Sequence, residues 1–162
     1  MSKFIKLDKN FKTLTKLNIN RSQIVLVGGC FDILHIGHIA FLQKAKQAGK
    51  TLVVLLENDQ TINLKKGINR PIFKQEDRVK MLLELKSVDY VLLLPSNLND
   101  KKYDLLVKKI KPAIIATTYG DAYVSHKLRQ AEQVGAKLVY IKKIKGSSTS
   151  NIAKLLARDR NL

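Results

Sequence analysis

The chain has 162 residues, the length of one domain, with 45% hydrophobic residues and three prolines, enough to bury a core and too apolar for a disordered tail. Thirty Lys and Arg against 13 Asp and Glu give a net charge of +17, yet the lysines scatter from Lys3 to Lys154 with few aromatics among them, so the charge reads as solvated faces more than as a nucleic-acid platform. The lone cysteine, Cys30, excludes an internal disulfide framework and fits a reducing cytoplasm, and the longest wholly uncharged run is too short to cross a bilayer.

Met1–Asn20 alternates lysine with apolar residues and does not form a secretory h-region. Its apolar positions Phe4, Leu7, Phe11, Leu14 and Leu17 stand three or four apart. A helix or extended arm is expected there, packed on the sheet or on a second subunit, ahead of a single domain over 21–162. Ile24–Val27 is a β-rich run that meets Gly28-Gly29, and Gly37–Ala48 follows a helical period with Phe41, Leu42, Ala45 and Ala48 on one face and Gly49 as its stop. Thr51–Leu56 reads as a strand buried on both faces. Glu57–Lys74 is expected to be irregular and, at that length, a functional loop.

The alternation continues through a helix at Gln75–Lys86, a strand at Val88–Leu94 closed by Pro95, a helix at Lys101–Lys111, and a strand at Ala113–Thr117. A helix at Ala122–Val134 ends at Gly135, a strand spans Lys137–Ile141, and a terminal helix spans Asn151–Arg158. Five strands alternating with helices predict an α/β fold, a Rossmann-like, doubly wound, parallel five-stranded sheet with helices on both faces. In such sheets ligands bind beyond the carboxyl ends of the strands.

Three segments at such ends carry chemistry. Gly28-Gly29 lets the backbone turn and a ligand approach, and His35 and His38, three apart at a helix start, can address one spot near its positive end. An anion fits that spot; a zinc site would need more ligands than one cysteine and two histidines. In Gly146–Ile152, Ser147, Ser148, Thr149, Ser150 and Asn151 stand in a row, where an N-cap alone would need one such residue, so a second anion cradle is indicated. The stretch from Asn63 to Arg78 is basic. Lys65, Lys66 and Arg70 are either a solvated charge run or phosphate contacts, and Arg78 is either a ligand-facing or a structural ion-pair residue. Tyr119-Gly120-Asp121 is a turn in which Asp121 caps the next helix or faces a ligand.

GGCFDILHIGH, over 28–38, resembles the GxFDxxHxGH signature of the cytidylyltransferase-like nucleotidyltransferases, and the resemblance runs from about Ile24 to about Leu156. It implies transfer of an NMP from an NTP to a phosphorylated acceptor, with release of pyrophosphate. It implies His35 and His38 as catalytic contacts to the triphosphate, with Gly28, Gly29, Cys30, Phe31 and Gly37 around the nucleotide. Asp32 is placed near the site without a role, and Cys30, where many members have Thr, reads as a small buried thiol.

The serine-rich turn is similar to the family's second signature and implies Ser148 and Thr149, with Ser147, on the β- and γ-phosphates. Lys143 stands where some relatives have Arg, which turns a bidentate contact into a point charge. Gly120 and Asp121 match a Gly-Asp pair near the base and ribose, but the lysine expected just before that pair is absent, and Thr117 and Thr118 stand there. The LKKGxNRP pattern over 64–71 is most like the bacterial sugar-phosphate branch, which acts with ATP on a heptose 1-phosphate. CTP with glycerol 3-phosphate, or ATP with FMN, are the alternatives. Mg²⁺ with the NTP and a homodimer are further implications. A basic nucleic-acid-binding module and a nucleotide-binding regulator without turnover are the competing classes.

Overall fold

Strands with apolar residues at every position must be covered on both faces, and the computed structural model places them so; it describes residues 3–144, 148, 151, 152, 154, 155 and 158. The strands are β1 (Lys3–Lys6), β2 (Ile24–Gly29), β3 (Thr51–Leu56), β4 (Tyr90–Leu93), β5 (Ile114–Thr118) and β6 (Lys137–Ile141). The helices are α1 (Ile36–Gln47), α2 (Asp59–Lys66), α3 (Gln75–Leu83), α4 (Asp100–Ile110) and α5 (Val124–Val134). All strands pair in parallel in the order β1-β4-β3-β2-β5-β6.

Side chains alternate along each strand. Leu26, Val53 and Leu55 join Leu106 and Ile110 of α4 and Ala131 of α5 on one face. Val25, Val27, Leu52 and Val54 join Leu42 of α1 and Val79 and Leu82 of α3 on the other. Helices therefore cover both faces, as expected.

Among the described residues the sheet has six strands, not five. The sixth is in the lead-in, where Lys3–Lys6 pairs with β4 in the register Ile5↔Leu92. Only Ile5 of the four is buried, so the strand left little apolar pattern to read. Leu7, Phe11 and Leu14 do bury in the α4/α5 core, but through a short 3₁₀ turn over Lys12–Lys16.

The stretch expected to be irregular contains α2, whose N-cap Asn58 accepts a hydrogen bond from the Gln60 N–H at 2.9 Å and which stops at Gly67. Gly49 follows a helix capped by Ala48. Its role is close approach, because a Cβ there would stand 2.6 Å from Val25 Cγ2. The chain at 151, 152, 154, 155 and 158 is helical.

Strand order reverses beside β2, which neighbours β3 on one side and β5 on the other. β2 pairs with β3 along its whole length, to Gly29↔Leu56, but with β5 only at Val25 and Leu26. Beyond Leu26, β2 and β5 part, and a crevice opens at the carboxyl ends.

Candidate active site

A cavity of about 340 Å³ fills that crevice. Gly28, Gly29, Cys30 and Phe31 form its β2 wall, and His35, Gly37, His38 and Phe41 its α1 wall. Thr117, Thr118, Asp121 and Lys127 face them from β5 and α5, and Lys66, Lys143, Ile144 and Ser148 close the rest. Three lysines (Lys66, Lys127 and Lys143) stand against one carboxylate, Asp121, and the imidazoles of His35 and His38 add hydrogen-bond donors, so the lining favours anions.

Gly29 is packed edge-on by the Phe31 ring, 2.8 Å from where a Cβ would lie. Phe31 itself is buried and adopts φ +45°, which turns the chain sharply toward α1. His35 is the N-cap of α1, and its Nδ1 accepts a hydrogen bond from the Gly37 N–H at 3.1 Å. An accepting Nδ1 carries no proton, so neutral His35 holds its proton on Nε2 as a donor. The His35 and His38 rings stack at 3.8 Å and 25°.

Burial lowers the pKa of His35. Burial, then repulsion from His35, lowers that of His38 to about 4 against an opposing backbone hydrogen bond at Ile33. Both rings are neutral donors at pH 7 in the free protein. Burial pushes the Cys30 thiol up, and nearby Lys66 only partly offsets it, so the thiol stays protonated at that pH.

The loops around the cavity are tied by buried ions. Asp32, 1% exposed, accepts from Arg70 Nε at 2.7 Å, from the Ile72 N–H at 2.8 Å and from the Phe73 N–H at 3.0 Å. Burial alone would raise its pKa, but these hydrogen bonds hold it below the usual value. Arg78, fully buried, donates through Nε to the Phe73 carbonyl, through Nη1 to that of Cys30, and through Nη2 to the Glu57 carbonyl and to Asp59 Oδ1 at 2.6 Å. It joins the loops after β2 and β3 to the start of α3.

Ten residues expected at the site line this cavity: His35, His38, Gly28, Gly29, Cys30, Phe31, Gly37, Lys66, Asp121 and Ser148. Arg70 does not line it, since its guanidinium is taken by Asp32. Lys65 points away from Lys66's face, 3.8 Å from Glu57 Oε2 and 4.8 Å over the Tyr123 ring. The Glu57 carboxylate also accepts from Tyr103 Oη at 2.7 Å. Gly120 turns the chain at φ +74° outside the lining. Ser147 and Thr149 lie outside the described residues. Ser148 Oγ accepts from the Asn151 N–H at 3.1 Å, as an N-cap does.

Of the lining residues to which sequence reasoning gave no site role, Thr117 and Lys127 join Asp121 in one network. Asp121 Oδ2 accepts from Thr117 Oγ1 at 2.7 Å and from Lys127 Nζ at 2.6 Å, and Oδ1 accepts from the Tyr123 N–H at 2.8 Å. These bonds outweigh burial and keep the Asp121 pKa low. No local pattern marks Lys127, which reaches the cavity because α5 packs back beside β5. Among the described residues, no group of three or more His, Cys, Asp and Glu side chains stands ready for a metal ion, and no helix is long and apolar enough to cross a membrane.

A family model described as cytidylyltransferase-like matches residues 26–154. The "bifunctional protein HldE" of Helicobacter hepaticus is 39% identical over 98% of this chain and 31% of its own length. That of Methylobacillus flagellatus is 37% identical over 83% of this chain and 27% of its own. The chain thus spans about three-tenths of the curated relatives it matches. Among solved structures, a lipopolysaccharide core biosynthesis protein from Thermoplasma volcanium superposes with a TM-score of 0.61 at 31% identity, over 77% of this chain and 98% of its own. A pantothenate synthetase from Thermus thermophilus superposes with a TM-score of 0.66 at 13% identity, over 94% and 67%, a likeness of fold alone.

Proposed function

Because the chain belongs to the cytidylyltransferase-like family, we propose that it transfers an NMP from an NTP to a phosphorylated small molecule and releases pyrophosphate. One observation carries this reading. A stacked pair of neutral histidines at the N-terminus of α1 faces Lys66, Lys127, Lys143 and Ser148 across a single cavity. Several separate donors and cations around one cavity suit the several charges of a polyphosphate better than a single small anion.

The reaction is an in-line displacement. An acceptor phosphate oxygen forms a bond to the α-phosphorus, the bond from that phosphorus to the bridging oxygen breaks, and pyrophosphate leaves with the electron pair. No general base is needed, because a phosphate monoester is already an anion near pH 7. The protein's work is positioning and charge neutralisation. His35, its Nδ1 occupied by the Gly37 N–H, donates from Nε2, and Lys66 and Lys143 hold the outer phosphates. Mg²⁺ enters as part of the substrate, held by phosphate oxygens and water.

ATP and a heptose 1-phosphate are the pair we favour, on the likeness of residues 64–71 to the sugar-phosphate branch. The test is pyrophosphate release with Mg²⁺ and ATP or CTP against heptose 1-phosphate, glycerol 3-phosphate and FMN. Release with one pair, reduced about 10²–10³-fold in kcat by His35→Ala, is the expected result. Release with another pair overturns the substrate assignment, and no binding of either NTP overturns the reading as a whole.

A further inference from the structure

From Ile114 to Val124, β5 and the turn after it hold no basic residue, although they form one wall of a cavity built for anions. The positive charge on that wall comes from elsewhere. Lys127, in the first turn of α5, sends its ammonium back toward the end of β5, where Nζ lies 2.6 Å from Asp121 Oδ2 and 3.2 Å from Thr117 Oγ1. Its side chain is only 19% exposed. Thr117 is fully buried, so the ammonium is docked against the sheet and not waving in solvent.

We propose that Lys127 is a ligand for a substrate phosphate, the cation that the Thr117-Thr118 turn does not supply itself. An ammonium has three donors in a fixed tetrahedral spread. Two are taken on one side by Asp121 and Thr117, which fixes the direction of the third, and the residue lines the cavity opposite His35 and His38. Lys127 also covers the one carboxylate of the wall. Without it, an entering phosphate would meet the bare charge of Asp121. The two effects act in the same direction, and they are separable by experiment. The inference rests on the cavity holding phosphates, as in the transfer reaction above.

The oxygen Lys127 takes belongs either to the nucleotide or to the acceptor, and the measurements separate these sources. Lys127→Gln keeps a hydrogen-bonding head for Asp121 and Thr117 but removes the charge. Isothermal titration with MgATP, without acceptor, reads the nucleotide arm and needs no turnover; the KM of the acceptor reads the other.

The expected result is a 10- to 100-fold loss in one arm with the melting temperature within a few degrees of wild type, and recovery of most of the loss in Thr118→Lys/Lys127→Gln, where the charge returns from the strand end. Lys127→Arg, which keeps charge and both anchors, is expected within tenfold of wild type and carries the test should the neutral variant fail to fold. Unchanged affinity in both arms for Lys127→Gln overturns the proposal. So does recovery by Asp121→Asn/Lys127→Gln with no recovery by the relocated lysine, because Lys127 would then be only the counter-ion of Asp121. If wild type binds MgATP but turns over no acceptor, the transfer reading fails while the titration still judges Lys127.

Discussion

Arg78 gives the most demanding test of the physical reasoning, because its guanidinium is wholly removed from solvent and still makes four hydrogen bonds. Replacing it by Met preserves most of the buried volume and removes every donor. The carbonyls of Cys30, Glu57 and Phe73 then lose their partner, and Asp59 loses its cation. Each orphaned buried carbonyl costs roughly 1–3 kcal/mol, and the pair with Asp59, whose side chain is 39% exposed, adds at most about 1 kcal/mol. These overlap in one residue, so the expected loss is about 4–6 kcal/mol, a large fraction of the roughly 5–15 kcal/mol that holds a domain folded.

For a chain of this length that is a fall in Tm of about 10–20 °C. Urea unfolding followed by far-UV circular dichroism measures it, with Cm expected to drop at unchanged m. Arg78→Lys is the sharper variant. It keeps the charge, but one ammonium cannot span acceptors that a planar five-donor fork reaches in three directions. It should lose at least half as much stability as Arg78→Met. Lys80→Ala, which removes the exposed partner of Asp77 on the same helix, should cost less than about 0.5 kcal/mol. A loss under about 1 kcal/mol for Arg78→Met, or wild-type stability for Arg78→Lys, would refute the account.

Two other predictions follow from the same structure. The His38 pKa, brought from the ordinary 6.5 to about 4 mainly by burial, is depressed on folding, so its contribution is complete above pH 6.5 and is lost as pH falls from 6.5 toward 4. The full difference is roughly 3 kcal/mol, and about 1–2 kcal/mol after discounting for the solvent-facing part of the ring. Unfolding free energies at pH 7.5 and 4.5 for wild type and His38→Asn measure it, and an equal pH slope in both would count against burial as the cause. Gly49→Ala should destabilise by about 1–3 kcal/mol by driving a Cβ into the buried Val25; a gain in Cm, the usual effect of Gly→Ala beside a helix, would contradict the packing.

Most of the fold was legible because burial writes itself into sequence when many neighbours bury together. Thr51–Leu56 is apolar from Leu52 onward and became β3 with the boundaries expected, and the two glycines ending β2 marked the crevice. α2 escaped because Ile62 is its one buried residue, so DQTINLKK carried no stripe to find. β1 escaped for the same reason, with Ile5 alone turned inward. The stacked histidines were visible as two imidazoles three residues apart, a spacing that one helical turn brings together. Lys127 was not visible, because its partner Thr117 lies ten residues away across a turn whose path only the packed sheet determines.

The same limit explains why charge was the least readable property of the site. Residues 65, 66 and 70 look equivalent as a basic run, yet folding treats each differently. Arg70 is consumed by Asp32, whose carboxylate also holds the backbone at Ile72 and Phe73. Lys65 faces Glu57 and the Tyr123 ring, while Lys66 alone of the three enters the cavity. A helix turns about 100° per residue, so adjacent lysines cannot share a target. Asp32, Asp59 and Asp121 each accept a cation at 2.6–2.7 Å. Three of the chain's 13 acidic residues are therefore spent on shaping and neutralising the rim of the cavity. The field an entering phosphate meets is set by Lys66 and Lys143, which these carboxylates leave uncovered, by the remaining donor of Lys127, and by neutral imidazole donors.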